Sequence, residues 1–268
     1  MPVLLMTVWL TGCVQEELGS TPSPTGNGIR FTLTVPDVNL PSVSSRTMTG
    51  TGTAKKEDEI ETVDILVFDM SKTPAVYLEC VSATGVTQDL ADNSTVSFSA
   101  VLSPTTASTC IVVVANKELD NIVPGFIKGT TTKVEAMEKM LHAQTGKWLA
   151  DGSTTDGYTR IPMYGEKVIS KITPSMDPIT GINMKRMLAR IDIRNNSATS
   201  NFTVEEVYLA NYNTTGYIAP AWNTNGQVTD PAPDTPVLPV NSGKMTEEGD
   251  AILYSVNGNT PYEGEIYT

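Results

Sequence analysis

Apolar and polar residues alternate along much of this chain with a period of two. Ile29, Phe31, Leu33 and Val35 interleave with Arg30, Thr32 and Thr34, which predicts a strand with one buried face. From Ile60 to Asp69, Val63, Ile65 and Val67 fall on one side and Leu66 and Phe68 on the other. Apolar residues on both sides predict a central strand. Cys110 to Ala115 is continuously apolar and predicts another. Val96, Phe98 and Ala100 alternate with serines, and Met187, Ala189, Ile191 and Ile193 share a face, as do Val207 and Leu209. Ala251 to Val256 and Tyr262 to Thr268 are short runs of strand character. Helical spacing is convincing once, over Thr132 to Ala143, where Val134, Met137 and Leu141 recur.

Clusters of Gly, Pro, Asn, Asp, Ser and Thr at Gly50 to Thr53, Asp151 to Gly157 and Asn223 to Thr235 separate these segments. Many short strands with one helix predict a mainly β protein, an antiparallel β-sandwich. A Pro, Asp and Gly cluster at Ser175 to Gly181 divides it into an N-terminal sandwich over residues 29–180 and a C-terminal one over residues 181–268. The second is expected to be incomplete, since the run at its end has strand character without a natural stop.

The N-terminus carries its own signal. A short apolar run from Met1 ends in Leu10, Thr11, Gly12 and Cys13, a small-residue pair before a cysteine of the kind a lipoprotein signal peptidase cuts. Residues 1–12 then form a signal peptide to be excluded from the fold. Cys13 becomes the acylated first residue, and residues 13–28, acidic and then Ser, Thr, Pro and Gly-rich, form a flexible tether. Beyond the signal no apolar stretch has the roughly 20 residues that span a bilayer. Membrane attachment therefore rests on the Cys13 lipid.

A second unusual segment joins two strong strands from Pro36 to Asp58. Long loops without structure inside a domain are usually functional or cleavable. Arg46, in Ser44, Ser45, Arg46, Thr47, Met48, offers a trypsin-like protease the bond between Arg46 and Thr47. Arg30 is a poorer site because strand pairing would protect it.

Composition narrows the chemistry. With 18 Lys and Arg against 30 Asp and Glu, a formal net charge of -12 argues against nucleic acid as a partner. Arg186, Arg190 and Arg194 alternate with apolar residues and are expected to solvate a strand face. Apart from Cys13, the cysteines are Cys80 and Cys110, both in strand-like segments; a disulfide and two buried thiols both remain open. The single histidine, His142, leaves little room for triads and none for two-histidine metal sites. Glu57, Asp58, Glu59, Glu61 and Asp64 precede or line the second strand and read as solubilising charges rather than a glycosidase pair. No Gly-rich phosphate loop or calcium-binding spacing is present. The sequence points to no enzyme, catalytic residue, cofactor or metal site.

Several of these segments together resemble a known family. They are Cys13, the strand from Ile29 to Val35, Arg46, the strands Glu59 to Asp69 and Ile111 to Asn116, Ile161 to Gly165, and Met187 to Ile193. In order and spacing they resemble the Bacteroidetes-type fimbrillins, subunits of type V pili, over Cys13 to about Tyr212. The resemblance implies a transthyretin-like β-sandwich in two domains. It implies a lipoprotein exported to the outer membrane, surface-exposed and incorporated into a fimbrium, with Cys13 at the lipidated position and Arg46 at the processing position. Gln15, Glu16 and Glu17 resemble the acidic stretch that directs lipoproteins outward. After cleavage between Arg46 and Thr47 the strand bearing Ile29, Phe31, Leu33 and Val35 would be displaced, and a neighbouring pilin subunit's strand would fill its groove. Glu265 to Thr268 does not match the family's C-terminal donor strand.

Elementary energetics agree with such an exchange. Refilling the groove would bury four side chains at about 1.5–3 kcal/mol each, roughly 6–12 kcal/mol in gross terms, at what is expected to be a sheet edge. Head-to-tail strand addition need not close on itself. A receptor on a host or bacterial surface is a further expected partner. The alternative is a lipid-anchored glycan-binding protein, in which Trp148 and Trp222 would stack on sugar rings; their isolation in the sequence favours interior packing.

Overall fold

A computed structural model describes residues 29–35, 58–88, 95–144, 148, 160–195, 205–210, 212–229, 238–239, 252–256 and 262–267. Cys13, the tether and the Arg46–Thr47 bond lie outside the described residues. The strands in chain order are β1 (Ile29–Thr34), β2 (Val63–Asp69), β3 (Val76–Ser82), β4 (Thr84–Gln88), β5 (Thr95–Ala100), β6 (Thr109–Ala115), β7 (Leu141–Ala143), β8 (Met163–Ile169), β9 (Ile179–Asn183), β10 (Lys185–Arg186), β11 (Arg190–Asn195), β12 (Glu206–Leu209), β13 (Thr215–Tyr217), β14 (Ile252–Val256) and β15 (Tyr262–Tyr267). The helix α1 (Lys133–Lys139) lies between β6 and β7.

The protein is mainly β. A four-stranded sheet in the order β4-β5-β1-β9 faces a five-stranded sheet in the order β10-β8-β6-β2-β3. Between them lies a core of Ile29, Phe31, Leu33, Val96 and Phe98 from one sheet and Val63, Ile65, Val67, Ile111 and Val113 from the other. The far face of the five-stranded sheet buries Leu66, Phe68, Val112, Val114 and Tyr164 beneath Ala136, Met137 and Met140 at α1 and Ile218 and Ala219. Because this sheet is covered on both faces, β2 and β6 are apolar almost without interruption, as a central strand must be.

Only Ala83 separates β3 from β4, and only Met184 separates β9 from β10. Each pair is a strand that passes from one sheet to the other, so both lateral edges of the sandwich are bridged by continuous chain. β9 runs through the expected junction at residues 180 and 181. The remaining pairs are the two-stranded sheets β11-β15, β12-β14 and β13-β7.

Three expectations need correction. The helix is shorter than its sequence pattern. A capping box at Thr132 and Glu135 starts it, with the Thr132 N–H donating to Glu135 Oε2 at 2.8 Å and the Glu135 N–H to Thr132 Oγ1 at 3.2 Å. It ends at Lys139 because Met140 turns to ψ 79°; the chain then enters β7, where Gly216 pairs with His142 and the Ile218 N–H donates to Met140 O. So short a helix is weak alone, and the pairing with β13 outcompetes another turn. His142 is thus a strand residue. Second, the run from Met187 to Ile193 is not one strand: residues 187–189 lie outside β10 and β11, Met187 packs against the second core, and Ile191 is exposed. Third, β1 is not at a sheet edge. It sits between β5, to which it is antiparallel, and β9, to which it is parallel.

Candidate functional site: the slot of the first strand

The alternation in β1 points its apolar residues into the core, where Phe31, Leu33 and Val35 are at most 1% exposed and Ile29 is 5% exposed. Arg30 and Thr34 are exposed on the other face. The ladder with β5 runs without interruption from Ile29 opposite Ala100 to Thr34 opposite Thr95. Phe31 stacks on its cross-strand partner Phe98, with ring centroids 5.0 Å apart and an interplanar angle of 9°. On the other side Phe31 lies opposite Ile179 and Leu33 opposite Ile182, so β9 carries one extra residue there. Gly181 accommodates that bulge at φ +70°, a conformation that carries no steric cost only for glycine. The Met184 N–H closes the slot by donating to Thr34 O at 2.9 Å.

Withdrawal of β1 would therefore open a slot bordered by two strands and floored by the core. That is a better template for an incoming strand than one free edge, because both backbones present unpaired groups.

Residues 58–62, just before β2, lie outside the sheets and are held by side chains. Gln88, at the end of β4, donates from Nε2 to Asp58 O at 2.7 Å, and its Oε1 accepts the Ile60 N–H at 3.1 Å. Asn116, just after β6, donates from Nδ2 to Glu59 O at 2.7 Å and to Ile161 O at 3.0 Å, while its Oδ1 accepts the Glu61 N–H at 3.0 Å. The Asn116 backbone N–H donates to Thr62 O at 2.9 Å. Arg160 pairs with Glu59 at 3.3 Å and with Glu61 at 2.6 Å, and Arg186 pairs with Asp58. Ile60 adds a buried apolar contact to the main core.

These carboxylates are thus not simple solubilising charges. Asp64 departs furthest from that expectation: it is 9% exposed and accepts from Ser82 Oγ at 2.7 Å and from the Leu119 N–H at 3.1 Å. Arg186, expected to solvate a strand face, is likewise drawn in by Asp58.

Cys80 and Cys110 are free thiols. They lie opposite Leu66 and Phe68 on the two strands that flank β2. Two strand spacings, roughly 9–10 Å, exceed the reach of a disulfide. Burial pushes the Cys80 thiol up to about 12 and the Cys110 thiol up to about 11.

Trp148 is buried beside Ile161 and lies 5.0 Å from His142, ring to ring. Trp222 meets Tyr217 edge-on at 4.9 Å. Burial, with Lys117 second, lowers the pKa of His142.

One buried polar group carried no signal in the sequence. Lys133, 2% exposed, pairs with Glu166 at 2.6 Å, and the Tyr164 hydroxyl donates to the same carboxylate oxygen at 2.6 Å. The arrangement fastens α1 to β8 beneath the second core; burial and Glu166 hold the Tyr164 hydroxyl well above its ordinary pKa.

The family described as fimbrillin-A associated anchor proteins Mfa1 and Mfa2 matches residues 23–261. No curated protein matches the sequence. Among solved structures, a protein assigned to cell adhesion from Parabacteroides distasonis is similar over 90% of this chain and 70% of its own, with 17% identity and a TM-score of 0.47. A fimbrial assembly protein from the same species is similar over 88% and 84%, with 16% identity and a TM-score of 0.42. A protein assigned to polysaccharide binding from Bacteroides thetaiotaomicron is similar over 90% and 71%, with 11% identity and a TM-score of 0.43.

Proposed function

Because the chain belongs to the family of fimbrillin-A associated anchor proteins, we propose that it is a surface-exposed fimbrial subunit or fimbria-associated adhesin, exported as a lipoprotein through Cys13 and joined to its neighbours by exchange of β1 after cleavage between Arg46 and Thr47. The observation that carries this reading is the position of β1, an apolar strand inserted between β5 and β9 and connected to the rest of the fold through the loop that holds Arg46.

Cys13, β1 and Arg46 share one stretch of chain, and this couples anchoring to assembly. In the uncut protein the lipid is covalently continuous with the sandwich. In the cut protein the lipid holds the sandwich only through the hydrogen bonds and buried side chains of β1. Loss of β1 then frees the body from the lipid and opens the slot in the same event. Stacking of Trp148 and Trp222 on glycans draws no support from their positions, since one is buried and the other packs against Tyr217.

The test is to nick the purified chain with an arginine-specific protease and add a labelled synthetic peptide of residues 27–37. The label is expected to enter the body, and to enter faster, by about tenfold or more, in a Phe31→Ala chain, whose own strand has lost a buried aromatic ring. A nicked body that takes up no peptide would contradict strand exchange.

A further inference from the structure

A polar depression of about 400 Å³ is lined by Glu61, Thr62, Asn116, Lys117, Asn121 and Arg160, among others. Three of its lining side chains are already engaged. Asn116 spends both ends of its amide on residues 59 and 61 and on Ile161, and Arg160 and Glu61 bind one another. The depression is thus less a vacant ligand site than the outer surface of a fastening.

We propose that Asn116 and Gln88, with Arg160 and Arg186 outside them, form a clamp on residues 58–62 that fixes where the chain stops unravelling when β1 leaves. The proposal rests on the strand-exchange reading and assigns these four as positioning residues for it.

The geometry supports such a stop. Residues 58–62 join the loop to β2, the strand between β6 and β3 in the five-stranded sheet. Any pull on the loop, or fraying from a new end at Thr47, would reach β2 through this segment. A strand would be held there by ladder bonds to a neighbouring backbone, but residues 58–61 take side-chain amides instead, and only Thr62 accepts a backbone N–H, that of Asn116. Gln88 serves Asp58 and Ile60, and Asn116 serves Glu59 and Glu61. The two amides thus satisfy successive backbone groups from opposite sides, as two neighbouring strands would.

The clamp is also independent of β1. Gln88 ends β4, Asn116 follows β6, Arg160 precedes β8 and Arg186 ends β10, so departure of β1 removes none of the four. The ion pairs are partly exposed and weaken with salt. The amide bonds to backbone are neutral, so the clamp keeps its core at high ionic strength.

Amide hydrogen exchange read on peptides covering residues 57–63 tests this in the full chain. Ile60 and Glu61 are expected to be protected in the intact protein and to stay protected after nicking at Arg46 and exchange of β1 for added peptide. Asn116→Gly removes the side-chain bonds to Glu59 and Glu61, along with the one to Ile161, while suiting the φ of +58° at that position. It is expected to lower protection of this segment by about tenfold or more, and Gln88→Ala to act in the same direction, with protection of β5 and β6 unchanged. Free exchange of residues 58–62 in the intact wild-type chain would overturn the proposal, as would unchanged protection in Asn116→Gly. Loss of protection there when β1 is exchanged would also overturn it while leaving strand exchange intact. If no peptide enters, strand exchange fails and the proposed stop fails with it, whereas the Asn116→Gly result still shows separately whether the segment is clamped.

Discussion

At His142 the imidazole packs against Trp148 on a short strand, and burial together with Lys117 holds its pKa below the usual value. The unfolded chain therefore takes up a proton at higher pH than the folded one. The stability that this group permits is present in full above the ordinary histidine pKa of about 6.5, and it is lost as pH falls from there through the lowered folded value. Thermal unfolding followed from pH 7.5 to pH 5 should show a falling midpoint, and His142→Phe, which keeps an aromatic ring without a titrating group, should show a smaller fall. Parallel curves for the two proteins would mean that this histidine does not couple to folding. Single residues were the least legible part of the sequence. The buried ends of Lys133 and Asp64 depend on Glu166, Ser82 and Leu119, which lie far along the chain, and a charged residue near an apolar run looks the same whether it faces water or a distant partner.

The strands were read with uneven success, and burial explains the difference. β1, β2 and β5 line the main core with strong periodicity, and their faces were assigned correctly from the sequence; β6, apolar throughout, was legible as a central strand without an assignment of its faces. β3 and β4 are mixed and partly exposed, and β9 is interrupted by Gly181; their patterns are correspondingly weak. The neighbours of β1 could not be read at all, because sheet order is set by pairings between distant residues. One close approach stands out at this scale. A methyl group on Gly165 of β8 would lie 2.7 Å from Met184 Sδ, 2.8 Å from Ile182 Cγ2 and 3.1 Å from Asn183 O. Gly165→Ala should therefore push the β9–β10 corner away from β8 and loosen the parallel partner of β1. A cost of about 1–3 kcal/mol is expected, seen as a lower urea midpoint with unchanged slope. An unchanged midpoint would show that the corner yields without loss.

Over the whole molecule, the two bridged edges and the interior place of β1 belong together. Exposed strand edges pair indiscriminately, and here the passages from β3 to β4 and from β9 to β10 tie the lateral edges of the two sheets to each other. An assembly that proceeds through β1 would then use a slot that stays filled until the connection to it is cut. The mainly β class and the family were legible from the ordered set of strands, Cys13 and Arg46. The groove was expected at an edge, whereas β1 lies between β5 and β9; under the proposed exchange, ladders on both sides of β1 would make breaking its tether at the loop a natural first step. Intact mass and N-terminal sequencing of the protein taken from its native surface test this account most directly. The account predicts an assembled body that begins at Thr47. A population that begins at acylated Cys13 and runs uncut through Arg46 would contradict it.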